Sequence, residues 1–268
     1  MKKFRCEITL AKNSRGCYIL DTVKGCSIVN QKPRGCYDDC YAQNIASRYG
    51  MDFGITVKRE FTKDTQQLFL FDFEDEQHLN RIIKDLKKIE MPFVRIGEMG
   101  DPSWDWVHTL SICNKIKPAG KPIVIITKHW STIPNTLLPM LKGLCINTSV
   151  SALDEPEELE ERLDQYERLK PYCNSVLRIV SCDFSLENEE GAARARVQDL
   201  LFKKAKTIDT VFRPSHGNPL VVRGVIKTEK VAFLKTKMLA SIHNPATYFG
   251  RCDTCPEMCG INLNNPAA

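Results

Sequence analysis

Between residues 93 and 213 the chain repeats one pattern, and that pattern limits the folds open to it. A short, nearly continuous apolar run is followed by a longer stretch with apolar residues at every third or fourth position. The short runs lie at 93–97, 123–127, 145–149, 176–181 and 210–213. Runs of that length and character predict strands buried on both faces, as in a parallel sheet. Among the longer stretches, Leu79, Ile82, Ile83, Leu86 and Ile89 share one helical stripe, and Leu159, Leu163, Tyr166 and Leu169 share another. The second stretch opens with Pro156 and glutamates, residues suited to a first helical turn. Further helices are expected at 104–115, 191–204 and 230–242. Strands that alternate with helices mean βα units. A first strand within 16–24 brings the count to about six. The expected fold is therefore α/β, a full or partial (βα)6 TIM-type barrel over residues 1–248. No Gly/Ser-rich linker or internal repeat divides it, and a Cys-rich, irregular metal-binding tail is expected over 249–268.

The chain has 268 residues, of which 43% are hydrophobic, so it can bury a sizeable core without disulfides. No stretch approaches the ~20 apolar residues of a membrane span. The basic start Met1-Lys2-Lys3-Phe4-Arg5 is not followed by the apolar core of a signal peptide. A cytoplasmic protein, in a bacterium or a phage-infected host, is expected. The net charge of +5 is a mild excess that tolerates a phosphate-bearing partner without demanding one.

Twelve cysteines is the abnormal count. In a reducing compartment, thiols at short spacing are usually metal ligands. Two tight groups stand out. In the first, Cys26 is followed by Cys36 and Cys40 on a loop that leads into a helix striped by Tyr41, Ile45 and Tyr49. Thiolates on such a loop suit an iron–sulfur cluster or zinc. A [4Fe–4S] cube held by three of them keeps one iron open. In the second group, Cys252, Cys255 and Cys259 suit an auxiliary iron–sulfur cluster, a structural zinc or a redox dithiol, in that order, with Cys17 as fourth ligand. Cys6, Cys113, Cys145 and Cys173 fit core positions.

Lys24-Gly25-Cys26, then Gly35-Cys36-Tyr37-Asp38-Asp39-Cys40-Tyr41-Ala42, resembles a radical-SAM-like family common in phages and prophages. That family carries a Gly-Cys, a variable loop and then Gly-Cys-x-x-Cys-Tyr-Ala. The likeness continues in order through Arg95-Ile96-Gly97-Glu98-Met99-Gly100-Asp101, Ile126-Thr127-Lys128, Asn147-Thr148-Ser149-Val150-Ser151 and Arg178-Ile179-Val180-Ser181-Cys182-Asp183. It covers roughly residues 16–185. The chain departs from the Cys-x-x-x-Cys-x-x-Cys hallmark of radical SAM proteins: its last pair is spaced Cys-x-x-x-Cys, and the first cysteine lies far upstream.

The resemblance implies a [4Fe–4S] cluster on Cys26, Cys36 and Cys40, with S-adenosylmethionine as co-substrate. Its reductive cleavage would give a 5′-deoxyadenosyl radical for hydrogen abstraction. An electron donor such as flavodoxin or ferredoxin is implied, and a nucleobase or nucleotide of phage DNA is the expected substrate. The outcome would be an isomerase, lyase or transferase reaction. Reactive groups of βα barrels collect at the C-terminal ends of strands. Tyr41, Gly97, Glu98, Thr127, Lys128, Ser149 and Ser151 are therefore the candidate cofactor contacts, and Asp101, Lys128 and Cys182 the candidate catalytic residues. His108 and His129 are further acid–base candidates, and Trp104, Trp106 and Trp130 could stack on a base. A zinc-stabilised nucleic-acid-binding protein is the alternative.

Overall fold

The structure is a computed structural model. It describes residues 2–32, 36–61, 71–215, 217–233, 236–240, 248 and 250–264, with backbone alone at 71–75, 229–233, 236–240 and 264. The strands are β1 (Ala11–Lys12), β2 (Tyr18–Ile19), β3 (Val23–Lys24), β4 (Val57–Lys58), β5 (Val94–Ile96), β6 (Ile123–Thr127), β7 (Leu144–Val150), β8 (Asn174–Ser181), β9 (Thr207–Val211), β10 (Glu229–Phe233) and β11 (Thr236–Ala240). The α-helices are α1 (Ile28–Gln31), α2 (Tyr41–Arg48), α3 (Phe71–Lys88), α4 (Trp106–Ile116), α5 (Pro156–Leu169), α6 (Glu189–Phe202) and α7 (Pro219–Val222).

The central sheet has the order β1-β2-β5-β6-β7-β8-β9. From β2 onward the six strands are parallel and follow one another in chain order, with β1 added antiparallel at one edge. This is the six-unit βα pattern expected from the sequence. Among the described residues β9 does not pair with β1, so no hydrogen bonds close the sheet.

Two faces follow from the register. One carries Ile123, Ile125, Leu144, Ile146, Leu177 and Ile179, all buried in apolar clusters. Tyr166 of α5 packs there with Val150, Leu177 and Ile179. The opposite face is more polar, with Arg95, Asn147, Ser149, Asn174 and Arg178 in register across β5, β7 and β8. Burying that side requires hydrogen-bonding partners. The tail supplies two: Asn147 Nδ2 donates to the Cys259 carbonyl (2.9 Å) and Asn174 Nδ2 to the Gly260 carbonyl (3.1 Å).

The helices begin where the sequence expects them to. Asp105 caps α4 by accepting from the His108 N–H (2.9 Å), and Asn188 caps α6 by accepting from the Gly191 N–H (3.0 Å). Pro156 opens α5, with Glu157 and Glu158 in its first turn and Arg168 in its last.

The helix expected at 230–242 is overturned. Residues 229–233 and 236–240 pair as the antiparallel strands β10 and β11, with Val231 opposite Met238. Val231 and Met238 are compatible with a helical stripe, but two short segments satisfy the same pattern by pairing with each other. Residues 241 and 242 lie outside the described part. The described tail is irregular, as expected, with 3₁₀ turns at Cys252–Thr254 and Met258–Asn264.

Candidate active site

The first cysteine group lies at the C-terminal ends of the parallel strands. Cys26 follows β3, on a turn that needs Gly25. Its φ is +82°, and a Cβ there would stand 2.0 Å from the Ile55 carbonyl oxygen. Cys40 caps α2, where the N–H groups of Gln43 and Ala42 favour its thiolate form. Cys36 is followed by Tyr37 and Asp38, both left-handed (φ 55° and 61°). For residues with a Cβ this conformation stores strain and persists only where the surroundings enforce it.

Tyr37 shows what enforces it. Its hydroxyl donates to Asp154 Oδ1 (2.6 Å), and its ring packs edge-on against Phe212. Its carbonyl accepts from Asn218 Nδ2 (2.9 Å). Lys128 Nζ sits 4.0 Å from the centre of the same ring and donates to Asp154 Oδ1 (2.9 Å). Arg162 completes the group, pairing with Asp154 at 2.7 Å and donating from Nε to the Lys128 carbonyl (2.7 Å). Burial alone would raise the Asp154 pKa, but the Lys128 and Arg162 charges outweigh it and hold the carboxyl below its usual range.

Burial raises all three thiols of this group, Cys26 to about 12. For Cys26 the Ile28 N–H and the Trp104 indole oppose the rise, and for Cys36 the Lys128 charge does. The Trp104 N–H is buried with no hydrogen-bond partner, and the sulfur whose thiolate it favours is Cys26. A metal deprotonates such thiols outright, and a ligating thiolate would give this N–H an acceptor. The three sulfurs lie within electrostatic reach of one another, through Cys36. Yet among the described residues no three Cys, His, Asp or Glu side chains converge as ligands of a single ion. Three thiols, with a buried indole N–H that lacks an acceptor beside Cys26, form a donor set that suits an iron–sulfur cluster.

A cleft of about 300 Å³ opens beside Cys36, Tyr37 and Lys128, with Trp130, Asp154 and Arg194 on its walls. Arg162 lies 4.8 Å from the centre of the Trp130 ring. Trp106, in contrast, is a core residue whose Nε1 donates to the Ser131 carbonyl (2.8 Å).

The other candidates divide by what holds them. Gly97 (φ +96°) brings its backbone against β6, where a Cβ would stand 2.3 Å from the Ile126 oxygen. The loop after it is held by Asp21, whose carboxylate accepts from the N–H groups of Gly97 (3.3 Å), Glu98 (2.8 Å) and Met99 (3.3 Å). The Glu98 side chain pairs with Arg95 and accepts from Asn13 Nδ2 (3.1 Å). The Tyr41 hydroxyl donates to the Glu98 carbonyl (3.4 Å). Asp101 accepts from Ser103 N (2.9 Å), Thr127 Oγ1 (2.6 Å) and Lys128 N (2.7 Å), so it and Thr127 tie the end of β6 to the preceding loop. The Ser151 hydroxyl donates to the Val180 carbonyl (2.7 Å) and accepts from Leu153 N. Ser149 stands opposite Arg178 on the polar face of the sheet. His108 lies on α4 with Nε2 against the Arg59 carbonyl (2.9 Å), and His129 is buried against Thr148 Oγ1 (3.0 Å).

Cys182, expected at the reactive rim, is instead fully buried with Ala152, Leu153, Phe184 and Phe212, and burial raises its thiol strongly. It is a packing residue, because its strand end is roofed by the loop that runs through Ile226. Asp21, Tyr37, Asp154 and Arg162 were not among the candidates. Only Asp21, a lone carboxylate just beyond a strand, carried a signal that strand-end reasoning could have found.

The second cysteine group lies near the starts of the same strands. Cys17 precedes β2 and shares a hydrogen bond with the Cys252 thiol, while Cys252 N donates to the Arg15 carbonyl (2.8 Å). The Cys252 thiol is pushed down to about 6 by the Cys17 hydrogen bond, with Arg15, Arg95 and Arg178 adding to it against burial. Cys17 is pushed in the opposite direction by the same hydrogen bond and by burial.

No family model and no curated protein matches this sequence. Among solved structures the fold is similar to that of spore photoproduct lyase, a double mutant with bound AdoMet and dinucleoside spore photoproduct. The TM-score is 0.51 at 10% sequence identity, over 88% of this chain and 72% of that one. At that identity the likeness establishes a shared α/β fold with a mostly parallel central sheet.

Proposed function

We propose that the chain is a radical S-adenosylmethionine enzyme in which Cys26, Cys36 and Cys40 hold a [4Fe–4S] cluster at the C-terminal edge of a partial βα barrel. The observation that carries this reading is the Cys36–Cys40 loop itself. Cys26 is buried and Cys36 and Cys40 are half-buried, Tyr37 anchors the loop that carries the last two, and the unpartnered Trp104 N–H stands beside Cys26. The fold likeness to a protein solved with AdoMet bound supports it.

When bound, the cluster supplies one electron to the sulfonium of S-adenosylmethionine. The chain's own residues do the positioning. Tyr37, Asp154 and Arg162 fix the cysteine loop, and Lys128 adds a positive charge beside it. The Gly97–Met99 backbone, held by Asp21, offers a close approach for the methionine end of the co-substrate. Glu98 reaches an ammonium only by sharing or leaving Arg95 and Asn13. The cleft beside Trp130 gives a substrate room next to the cysteine loop. A nucleobase or nucleotide of DNA is the substrate class, supported by the dinucleoside carried by the structurally similar lyase. A small reductant protein of the flavodoxin or ferredoxin type is the electron source.

The test is anaerobic purification with iron and sulfide analysis, followed by incubation with S-adenosylmethionine and dithionite. Bound iron and release of 5′-deoxyadenosine are expected. A preparation that holds no iron, or holds it without cleaving the co-substrate, overturns the proposal. Nucleoside mass spectrometry of treated DNA tests the substrate class, and unchanged nucleosides count against it.

A further inference from the structure

We infer that Cys17, Cys252, Cys255 and Cys259 ligate a second iron–sulfur cluster, and that Arg15, Arg95, Arg178 and Arg213 provide its counter-charge. The inference stands on geometry separate from the first cysteine group. The two groups occupy opposite ends of the parallel strands, one near Cys17 before β2 and the other beyond β6 and β7.

Three independent observations converge here. First, the fold brings the fourth cysteine to the tail. Cys17, Cys252 and Cys259 pack into one cluster with Cys145, whose thiol donates to the Cys259 carbonyl (3.6 Å). The tail is fixed in place by Asn147 and Asn174, by Arg15 donating to the Gly250 carbonyl (3.0 Å) and by Cys252 N donating to Arg15.

Second, the four arginines and the three tail cysteines line one small cavity of about 50 Å³. A cube with four thiolates carries net negative charge, and enclosing it in protein requires positive charge nearby. Arg95 is placed to give more than charge: its Nε is buried with no hydrogen-bond partner, and it acts on the Cys17 and Cys259 sulfurs. Such an N–H is a donor for a ligating sulfur.

Third, Met258, Cys259 and Gly260 run consecutively through left-handed backbone (φ 44°, 53° and 89°). Two of the three bear a Cβ, so this turn is held against its preference. Two of its N–H groups are bonded within the tail, Met258 N to the Cys255 carbonyl (3.3 Å) and Gly260 N to the Glu257 carbonyl (2.8 Å), so the turn fixes where Cys259 stands. Tyr37 and Asp38 repeat the feature in the first group.

The experiment is reconstitution of the full chain with ferrous iron and sulfide under anaerobic conditions. Two ligand-site variants, Cys26→Ser and Cys255→Ser/Cys259→Ser, are carried alongside. Wild type is expected to hold about eight irons, two cubes of four, and each variant about four. Unchanged iron in the tail variant, or about one zinc in wild type that the tail variant loses, overturns the inference. Iron lost only in the tail variant sinks the proposed function and leaves this inference standing. Wild type with about four irons, all lost in Cys26→Ser, does the reverse. If the tail variant does not fold, Arg178→Gln keeps every ligand. It is expected to hold wild-type iron and to lower the reduction potential of one of two clusters. An unshifted potential overturns the counter-charge role.

Discussion

The Tyr37 hydroxyl lies 2.6 Å from Asp154 Oδ1, so a residue between two of the cysteines is bonded to the loop that follows β7, across 117 positions of sequence. The placement of Cys36 and Cys40 therefore depends on a carboxylate that neither cysteine touches. Tyr37→Phe keeps the ring on Phe212 and removes this bond. It should cost about 1–2 kcal/mol, the worth of a buried hydrogen bond to a charged group. Chemical denaturation measures that cost. Iron content after reconstitution should fall relative to wild type, and an unchanged content would show that the loop holds itself.

Asp154 is almost fully buried between Lys128 and Arg162. Asp154→Ala strands two cations and should destabilise by about 3–5 kcal/mol. Because the folded-state pKa is depressed, the stabilisation is present above the ordinary carboxylate range and is lost as pH falls through and below it. Urea midpoints of wild type and variant should converge as the solution is acidified below pH 4. A gap that stays constant with pH would remove Asp154 as its source.

His129 gives a second pH dependence. Burial, with the Arg162 and Arg168 charges, pushes its pKa down to about 3, so the folded state holds it neutral. The unfolded chain protonates it near pH 6.5. Stability contributed by the neutral ring is complete above that value and drains away as pH falls toward 3, by about 2 kcal/mol between pH 7 and 5. His129→Asn tolerates the left-handed backbone at this position (φ 52°) and should flatten that slope. Equal slopes for the two proteins would exclude His129.

Trp104→Phe keeps an aromatic ring beside Cys26 but removes the buried N–H. Iron content should be unchanged and the reduction potential of the first cluster lower, since a hydrogen bond to a ligating sulfur stabilises the reduced state. Redox titration followed by EPR reads this directly. A potential equal to wild type would mean that the indole does not donate to sulfur.

How much of this was visible beforehand depended on distance along the chain. β6, β7 and β8 and helices α4, α5 and α6 announce themselves because each pattern closes within a dozen or so residues. The β10–β11 pair did not, because its apolar spacing also fits a helix and only pairing decides between them. Spacing alone marks both cysteine groups in the sequence without deciding what they hold. The residues that organise the first are not so marked: Tyr37 meets Asp154, and Asp21 meets the Glu98 backbone, across 117 and 77 positions. Thr127 and Ser151 read as ligand contacts and Asp101 as an acid–base residue because strand-end polar residues look alike in sequence. In the structure Thr127 and Asp101 bond each other and the Ser151 hydroxyl bonds the Val180 carbonyl of β8.

The six parallel strands of the central sheet pair in the order in which they occur, whereas Arg15 reaches Gly250 across 235 positions. Closing a loop that long carries a large entropic cost, so sheet growth by neighbouring units runs ahead of tail docking. The pocket lined by Cys252, Cys255 and Cys259 is thus among the last parts of the molecule to exist during folding. Any cargo destined for it is loaded onto a nearly finished protein.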